Sequence, residues 1–366
     1  MTQEEPSAGL PPSLLALPSH APEQGRYPVI DAHNHLFGDP PAAEIVQAMD
    51  ACGVRLFLNV TGNASLPFDE KGYTIRRREY REYEERYCAP HAGRFAGLTM
   101  SDFARWDDFD LFRSHSNPRA SGERFADLCI QGLEADRALG ALGLKITKEL
   151  GLRFFDDAGV LLTVDDPRLH PIWRRAGELG IPVLIHVADP AGFFLPPGEA
   201  NEHTASLKEF PGWGFAGSTY SREELLAQRD RMIAAHPATT FICPHVASDV
   251  ENLAAVGRFL DRYANAYVDL SARIDELGRQ PYTARDFMVA YQDRILFGID
   301  MPARPDLYRA YFRFLETRDE YFPYPDYVGR WGRSRWHIYG LHLPDPVLKK
   351  IYQENALRAI QGLPFG

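Results

Sequence analysis

The residues of this chain that could do chemistry are histidines and carboxylates set in short apolar runs. VIDAHNH carries Asp31, His33 and His35; LIHV carries His186, CPH carries His245, LFGID carries Asp300 and LGLKIT carries Lys145. Imidazole and carboxylate are ligands that zinc, manganese and iron accept. An ion needs them on one surface, and strand geometry can supply that, because successive side chains point to opposite faces. On this alternation Asp31, His33 and His35 share one side. In IPVLIHV, Val183, Ile185 and Val187 take the helix-packed side, so His186 faces inward. Lys145 likewise lies opposite Leu144 and Ile146, and Asp300 opposite Ile295, Phe297 and Ile299. In FICPH the rule puts Ile242 outward and His245 on the side of Phe241 and Cys243.

The elements that must position these groups recur along the whole sequence. Strand candidates lie at 28–33, 54–60, 94–100, 142–147, 181–187, 239–245, 266–272 and 294–300. Helical patterns lie at 42–51, 124–139, 171–179, 221–235, 250–263, 284–291, 307–316 and 347–360. The pattern at 221–235 opens with S-R-E-E, where Ser221 and Glu224 can each satisfy the other's backbone donor. Strands alternating with helices imply parallel βαβ units, and eight such units close a barrel. The expected fold is α/β, a TIM-type (β/α)8 barrel. A doubly wound open sheet is disfavoured because no glycine-rich phosphate turn follows the first strand. Two stretches exceed a minimal barrel: an insertion after strand 5 (190–220) and another near the C-terminus (321–343). Both are rich in aromatics with Pro or Gly, as in lids, binding loops and subunit contacts. Residues 1–27 read as a flexible N-terminal arm and 28–366 as a single metal-dependent barrel domain.

Composition narrows the partners. A net charge of -10 argues against nucleic acid or an anionic membrane, both of which attract a basic face. The four cysteines are far apart and form no C-x-x-C pair, which suits a reducing, cytoplasmic setting. The first 27 residues lack a basic n-region, and no stretch approaches the roughly 18 apolar residues of a membrane span. The partner expected is a small-molecule substrate, with a homo-oligomer as the assembly.

In order and at barrel spacing, DAHNH, LIHV, CPH and FGID resemble the amidohydrolase superfamily. The chain is most similar to its amidohydrolase 2 branch, which includes aminocarboxymuconate-semialdehyde decarboxylase; ENALRAI resembles that branch's closing helix. The resemblance implies that His33, His35, His186 and Asp300 bind one divalent metal ion, zinc first, with manganese or iron as alternatives. It places His245 beside the reacting water and the substrate. Some decarboxylases of the branch replace the first His of H-x-H with Glu, and this chain keeps His33. That favours a hydrolase acting on a C–N or C–O bond of a small substrate, carboxylated or aromatic. The alternative is a nonoxidative decarboxylase or other C–C lyase on the same site. A barrel that has lost catalysis and serves as a scaffold is a third reading, against which the intact ligand set counts. In the hydrolytic reading the metal-activated water has a pKa near 7. Asp300 takes its proton and passes it to the leaving group, and His245 polarises the scissile carbonyl.

The remaining polar residues carry alternatives. Lys145 is a free cation facing the substrate, a carbamate bridging two metal ions, or a partner of Asp31. Lys148 falls outward or past the strand end. Asp31 hydrogen-bonds backbone or orients a ligand from behind it. Arg273 clamps a substrate carboxylate or forms a surface ion pair. Phe194 and Trp213, with Phe193 and Phe215, wall an aromatic substrate or pack on one another or on a neighbouring subunit. His170, His203, His236, His337 and His342 read as surface or loop residues, with His236 a cation at a helix end. The run 76–86 reads as a solvated helix face, and 331–337 as an oligomer contact or entry loop.

Overall fold

The computed structural model describes residues 14–69, 72–73, 75–100, 108–109, 115–116, 125–156, 158–325 and 336–365. The strand candidates form β1 (Val29–Asn34), β2 (Val54–Asn59), β3 (Phe95–Gly97), β4 (Leu144–Ile146), β5 (Val183–Ile185), β6 (Phe241–Cys243), β7 (Ala266–Asp269) and β8 (Ile295–Leu296). β1, β2 and β3 pair in parallel, as do β4 through β8 in sequence order. Backbone hydrogen bonds join the two sheets at both seams. Lys145 N donates to Thr99 O at 2.7 Å between β3 and β4, and Ala32 N donates to Phe297 O at 2.9 Å between β8 and β1. The architecture is the TIM-type barrel.

Helices α1 (Ala42–Asp50), α2 (Tyr80–Tyr83), α3 (Phe125–Ala138), α4 (His170–Glu178), α5 (Thr204–Glu209) and α6 (Arg222–Ala235) precede β6. α7 (Leu253–Arg262), α8 (Ile274–Arg279), α9 (Pro281–Ala290), α10 (Pro305–Glu316) and α11 (Asp345–Lys349) follow. α11 widens at Lys350–Glu354 and ends as Asn355–Ala359. Pro281 and Pro305 sit in the first turns of α9 and α10, where a missing N–H costs nothing, so both helices begin earlier than the apolar period indicates. Ser221 caps α6, accepting from Glu224 N at 3.2 Å. The reciprocal half of that capping box does not form, because the Glu224 carboxylate accepts from Arg231 at 2.8 Å.

Strand residues sort into two apolar clusters. Val29, Phe57, Val183, Ile185, Phe241, Cys243, Ile295 and Phe297 pack with helix residues such as Trp173, Met232 and Tyr308. Ile30, Leu56, Leu58, Leu184, Ile242 and Leu296 fill the barrel, with Ala356 of the last helix and Ile360 just after it joining them. The neighbours of Lys145, His186 and Asp300 on these strands, Leu144, Ile146, Ile185, Val187 and Ile299, pack on the helix side. The sorting corrects β6, where Ile242 points inward and Phe241 and Cys243 face the helices.

The run 76–86 is a short strand, Ile75–Arg77, followed by α2, and it is not wholly solvated. Tyr80, Tyr83 and Tyr87 bury one face against the core while Glu and Arg side chains cover the other. The first 27 residues are fastened from Ser19 onward: His20 pairs with Asp319, Arg26 with Asp345, and Gly25 N donates to Cys52 O. Of the run 331–337, residues 331–335 lie outside the described residues; Trp336 packs under the Arg279 guanidinium, 3.7 Å from its ring centre. No helix among the described residues is long and apolar enough to cross a membrane.

Candidate metal centre

The mouth of the barrel is built where strands end, and the backbone there is strained. Ala188, His245, Ala272 and Asp300, which follow β5, β6, β7 and β8, all have φ between 50° and 60°. Non-glycine residues seldom adopt that region, and such outliers cluster at functional sites. At β6 this turn explains how His245 enters the mouth although the strand's alternation would not put it there. Pro244 ends the ladder, and the left-handed run His245–Ser248 swings the imidazole inward. On β1 the ladder is irregular between Asp31 and Asn34, so Asp31 and His33 do not share a side. Asp31 accepts from Tyr308 OH and Asn34 Nδ2, each at 2.7 Å, and from Ile299 N at 3.3 Å. It therefore ties β1 to β8 and α10, and it is not the partner of Lys145. Burial pushes its carboxyl up to about 6, against those hydrogen bonds. Gly298 lets β8 approach β1: a Cβ there would lie 2.7 Å from His33 Cβ.

Three imidazoles are held from behind with Nε2 turned into the mouth. His33 Nδ1 lies 2.7 Å from Asp269 Oδ2 and 2.9 Å from Ser271 Oγ. His35 Nδ1 lies 2.9 Å from Thr61 Oγ1, whose own proton goes to Asn59. His245 Nδ1 donates to Ser271 O at 2.8 Å. With Nδ1 donating, each Nε2 is left as a lone pair, the arrangement that orients a metal-binding histidine. Asp300 lies between them, with Oδ1 3.4 Å from His35 Nε2 and Oδ2 3.7 Å from His245 Nε2. Donor atoms of His33, His245 and Asp300 all fall within 4.8 Å of one another. The His186 ring sits 4.4 Å from that of His245, and its buried Nε2 has no hydrogen-bond partner. Lys145 Nζ is 3.4 Å from His33 Nε2.

Burial governs the charge states. It lowers His35 and His245 well below the usual histidine range and His186 to about 4, so these three rings are neutral and carry free lone pairs. It raises the Asp300 carboxyl, against the pull of His33 and Lys145. It lowers Lys145 to about 8, opposed first by Asp300. At Asp269 burial also opposes ionisation, but His33 and Ser271 outweigh it and hold the carboxyl at about 2. Neutral imidazoles and a reachable carboxylate fit a divalent cation, and His186 Nε2 stands at their edge, 3.5 Å from Asp189 Oδ1.

The structure adds residues that the sequence reading missed. Asp269 lies between Val268 and Leu270, both packed outward, so the same alternation that found His186 could have found it. Ser271 and Thr61 carried no comparable signal. Lys148, set aside as outward, reaches Asp189 at 2.5 Å, and Asp189 also lies 3.5 Å from His186 and 3.6 Å from Arg273. Arg273 is buried rather than a surface residue. Phe193, Leu207 and Phe215 form a small core of their own, against which Phe194 and Trp213 pack. Lys148 Nζ lies over Phe215, 5.3 Å from its ring centre, which fastens this insertion to the mouth. His203 and His236 are buried, not surface residues. Burial, then His170 and Arg174, lower His236 to about 4, so it is no cation at the helix end.

A (β/α)8 barrel whose mouth gathers buried and partly buried imidazoles and carboxylates is the framework of a metal-dependent enzyme. The chain belongs to the amidohydrolase family, whose model, described as Amidohydrolase, matches residues 30–361. No curated protein matches it. Among solved structures it is similar to an uncharacterised TIM-barrel protein from Bordetella bronchiseptica, at 15% identity and TM-score 0.49, covering 92% of this chain and 96% of that one. It is also similar to 2,6-dihydroxybenzoate decarboxylase from Rhizobium, at 17% identity and TM-score 0.49, covering 86% of each chain. A dihydroxybenzoic acid decarboxylase from Polaromonas, with bound manganese and an inhibitor, matches at 15% identity and TM-score 0.49, covering 86% of this chain and 84% of that one.

Proposed function

We propose that this chain is a metal-dependent hydrolase that cleaves a C–N or C–O bond of a small carboxylated substrate. His33, His35, His186 and Asp300 would hold one divalent ion, with zinc the first choice for this mixed nitrogen and oxygen set and manganese or iron as alternatives. When bound, the ion acidifies water and polarises a substrate oxygen.

The observation that carries the reading is the placement of Asp300. Its carboxylate is partly buried, lies 3.4 Å from His35 Nε2 and 3.7 Å from His245 Nε2, and has its pKa raised by desolvation. A carboxylate so placed can accept a proton from water at the centre and return it to a leaving group, since its affinity for protons is moved toward neutrality. His245, with Nδ1 fixed on Ser271 O, presents Nε2 to the same space and orients the substrate there. Lys145 brings a cation to the mouth, with Lys148 and Arg273 beside it on Asp189, which suits a substrate carboxylate. The aromatic insertion would cover that space and exclude water. Four cysteines without a disulfide are in keeping with a cytoplasmic enzyme.

Decarboxylation is the second reading, favoured by one contact. Lys145 Nζ lies 3.4 Å from His33 Nε2, so a carboxylate drawn to this cation would sit at the metal centre itself. A panel of lactones, amides, esters and aromatic acids, scored for hydrolysis and for carbon dioxide release, separates the two. Asp300→Asn should lose about 10²- to 10⁴-fold in kcat on the responsive substrate. Wild-type kcat in that variant would remove Asp300 from the mechanism.

A further inference from the structure

At the opposite end of the barrel from the mouth, a cavity of about 320 Å³ opens between α4 and the segment that leads from α6 into β6. Its position follows from Val183 N, at the start of β5, donating to Thr240 O just beside it. The volume is at the lower end of the range for small-molecule pockets. His170, Arg174 and His236 line it, with Glu178 as its carboxylate. Glu178 is already engaged by Arg175 at 2.9 Å. The two imidazoles face each other, His170 Nδ1 2.6 Å from His236 Nε2, so a single proton at most can lie between them.

The walls are fixed rather than loose. Asn265 Nδ2 donates to His236 O at 3.0 Å and to Thr239 O at 2.9 Å. Thr239 Oγ1 donates to Trp173 O at 2.9 Å, an approach that Gly177 permits, because a Cβ there would lie 2.4 Å from Thr239 Oγ1. The backbone of His236 and the first turn of α4 are thus each tied by a side-chain donor.

We propose that this cavity is a second binding site, for a small oxyanion such as phosphate or a carboxylate. An anion with two acceptor oxygens can take a bidentate pair of hydrogen bonds from Arg174 and another from the imidazole pair. Among the described residues, none of the groups gathered at the mouth lines it. Burial, with His170 and then Arg174 beside it, keeps His236 uncharged without a ligand, so an arriving anion would draw a proton onto the imidazole pair.

Isothermal titration of the full chain with inorganic phosphate, and separately with acetate, tests this. One phosphate per chain should bind with a dissociation constant of about 1 mM or tighter. Arg174→Gln and His236→Asn should each weaken it by about tenfold or more, while His33→Ala at the mouth leaves it unchanged. Acetate binding that responds to the same two substitutions identifies a carboxylate as the natural occupant instead. Arg174 is exposed on α4 and its replacement spares the core, so the test stands if His236→Asn fails to fold. No heat with either anion up to about 20 mM, or binding insensitive to Arg174→Gln, overturns the proposal. So does phosphate binding lost in His33→Ala, which would place the anion at the mouth.

Discussion

Replacing Asp189 by asparagine should destabilise the chain by about 3 kcal/mol. Asp189 is buried, and its carboxylate faces Lys148 at 2.5 Å, His186 at 3.5 Å and Arg273 at 3.6 Å. Burial opposes its charge, but Lys148, His186 and Arg273 outweigh it and hold the carboxyl below the usual range. Removing one member of a buried ion pair costs about 3–5 kcal/mol, mostly because the partner's charge is stranded. The Lys148 side chain retains 18% exposure and can turn to water, which points to the low end. Unfolding entropy near the midpoint is about 2.1 cal/mol/K per residue, or about 0.8 kcal/mol/K over 366 residues, so the shift in Tm should be about 4 °C. Scanning calorimetry of wild type, Asp189→Asn and the double variant Asp189→Asn/Lys148→Met reads it. The double variant should recover about 1 kcal/mol or more, since it removes the stranded cation. A single variant within about 1 °C of wild type, or a double variant no better than the single, would refute this account of the mouth.

Two further outcomes follow from the geometry. Phe194→Ala and Trp213→Ala loosen the insertion's own core; they should raise KM several-fold without changing bound metal, read by steady-state kinetics with elemental analysis. A change in oligomer assembly alone would make the insertion an interface. His236 titrates near 4 in the fold against about 6.5 in the unfolded chain, so the unfolded state binds more protons between those values. Stability should therefore fall as pH drops from about 6.5 toward 4, by on the order of 1–2 kcal/mol from this group. His236→Asn should flatten that slope in denaturation measured across the window, and an unchanged slope would show the burial argument to be wrong.

The fold was legible because outward strand positions are apolar almost without exception. Val183, Ile185, Phe297 and Ile299 mark the phase of β5 and β8, and with it the inward turn of His186 and Asp300. Alternation failed at His33 and His245 for one physical reason: it assumes a continuous ladder. β1 loses register between Asp31 and Asn34, and β6 ends at Pro244 in a left-handed turn. The family resemblance gave both histidines roles that did not depend on that phase. Contacts formed between distant segments left no local signal. Thr61 behind His35 and Ser271 behind His33 and His245 are examples, and Asp189 meeting Lys148 depends on loops that follow two different strands. Burial of His203 and His236 was equally hidden, because a histidine in a loop sequence says nothing about what folds over it.

On the proposed function, the gathered histidines and Asp300 hold one catalytic divalent ion. Elemental analysis by plasma mass spectrometry, on protein purified without added metal, tests this most directly when wild type is compared with His33→Ala. Wild type should carry about one transition-metal ion per chain, the variant should lose most of it at unchanged secondary structure, and chelation should abolish activity. Wild-type protein free of transition metal, with activity indifferent to chelators, would contradict this reading.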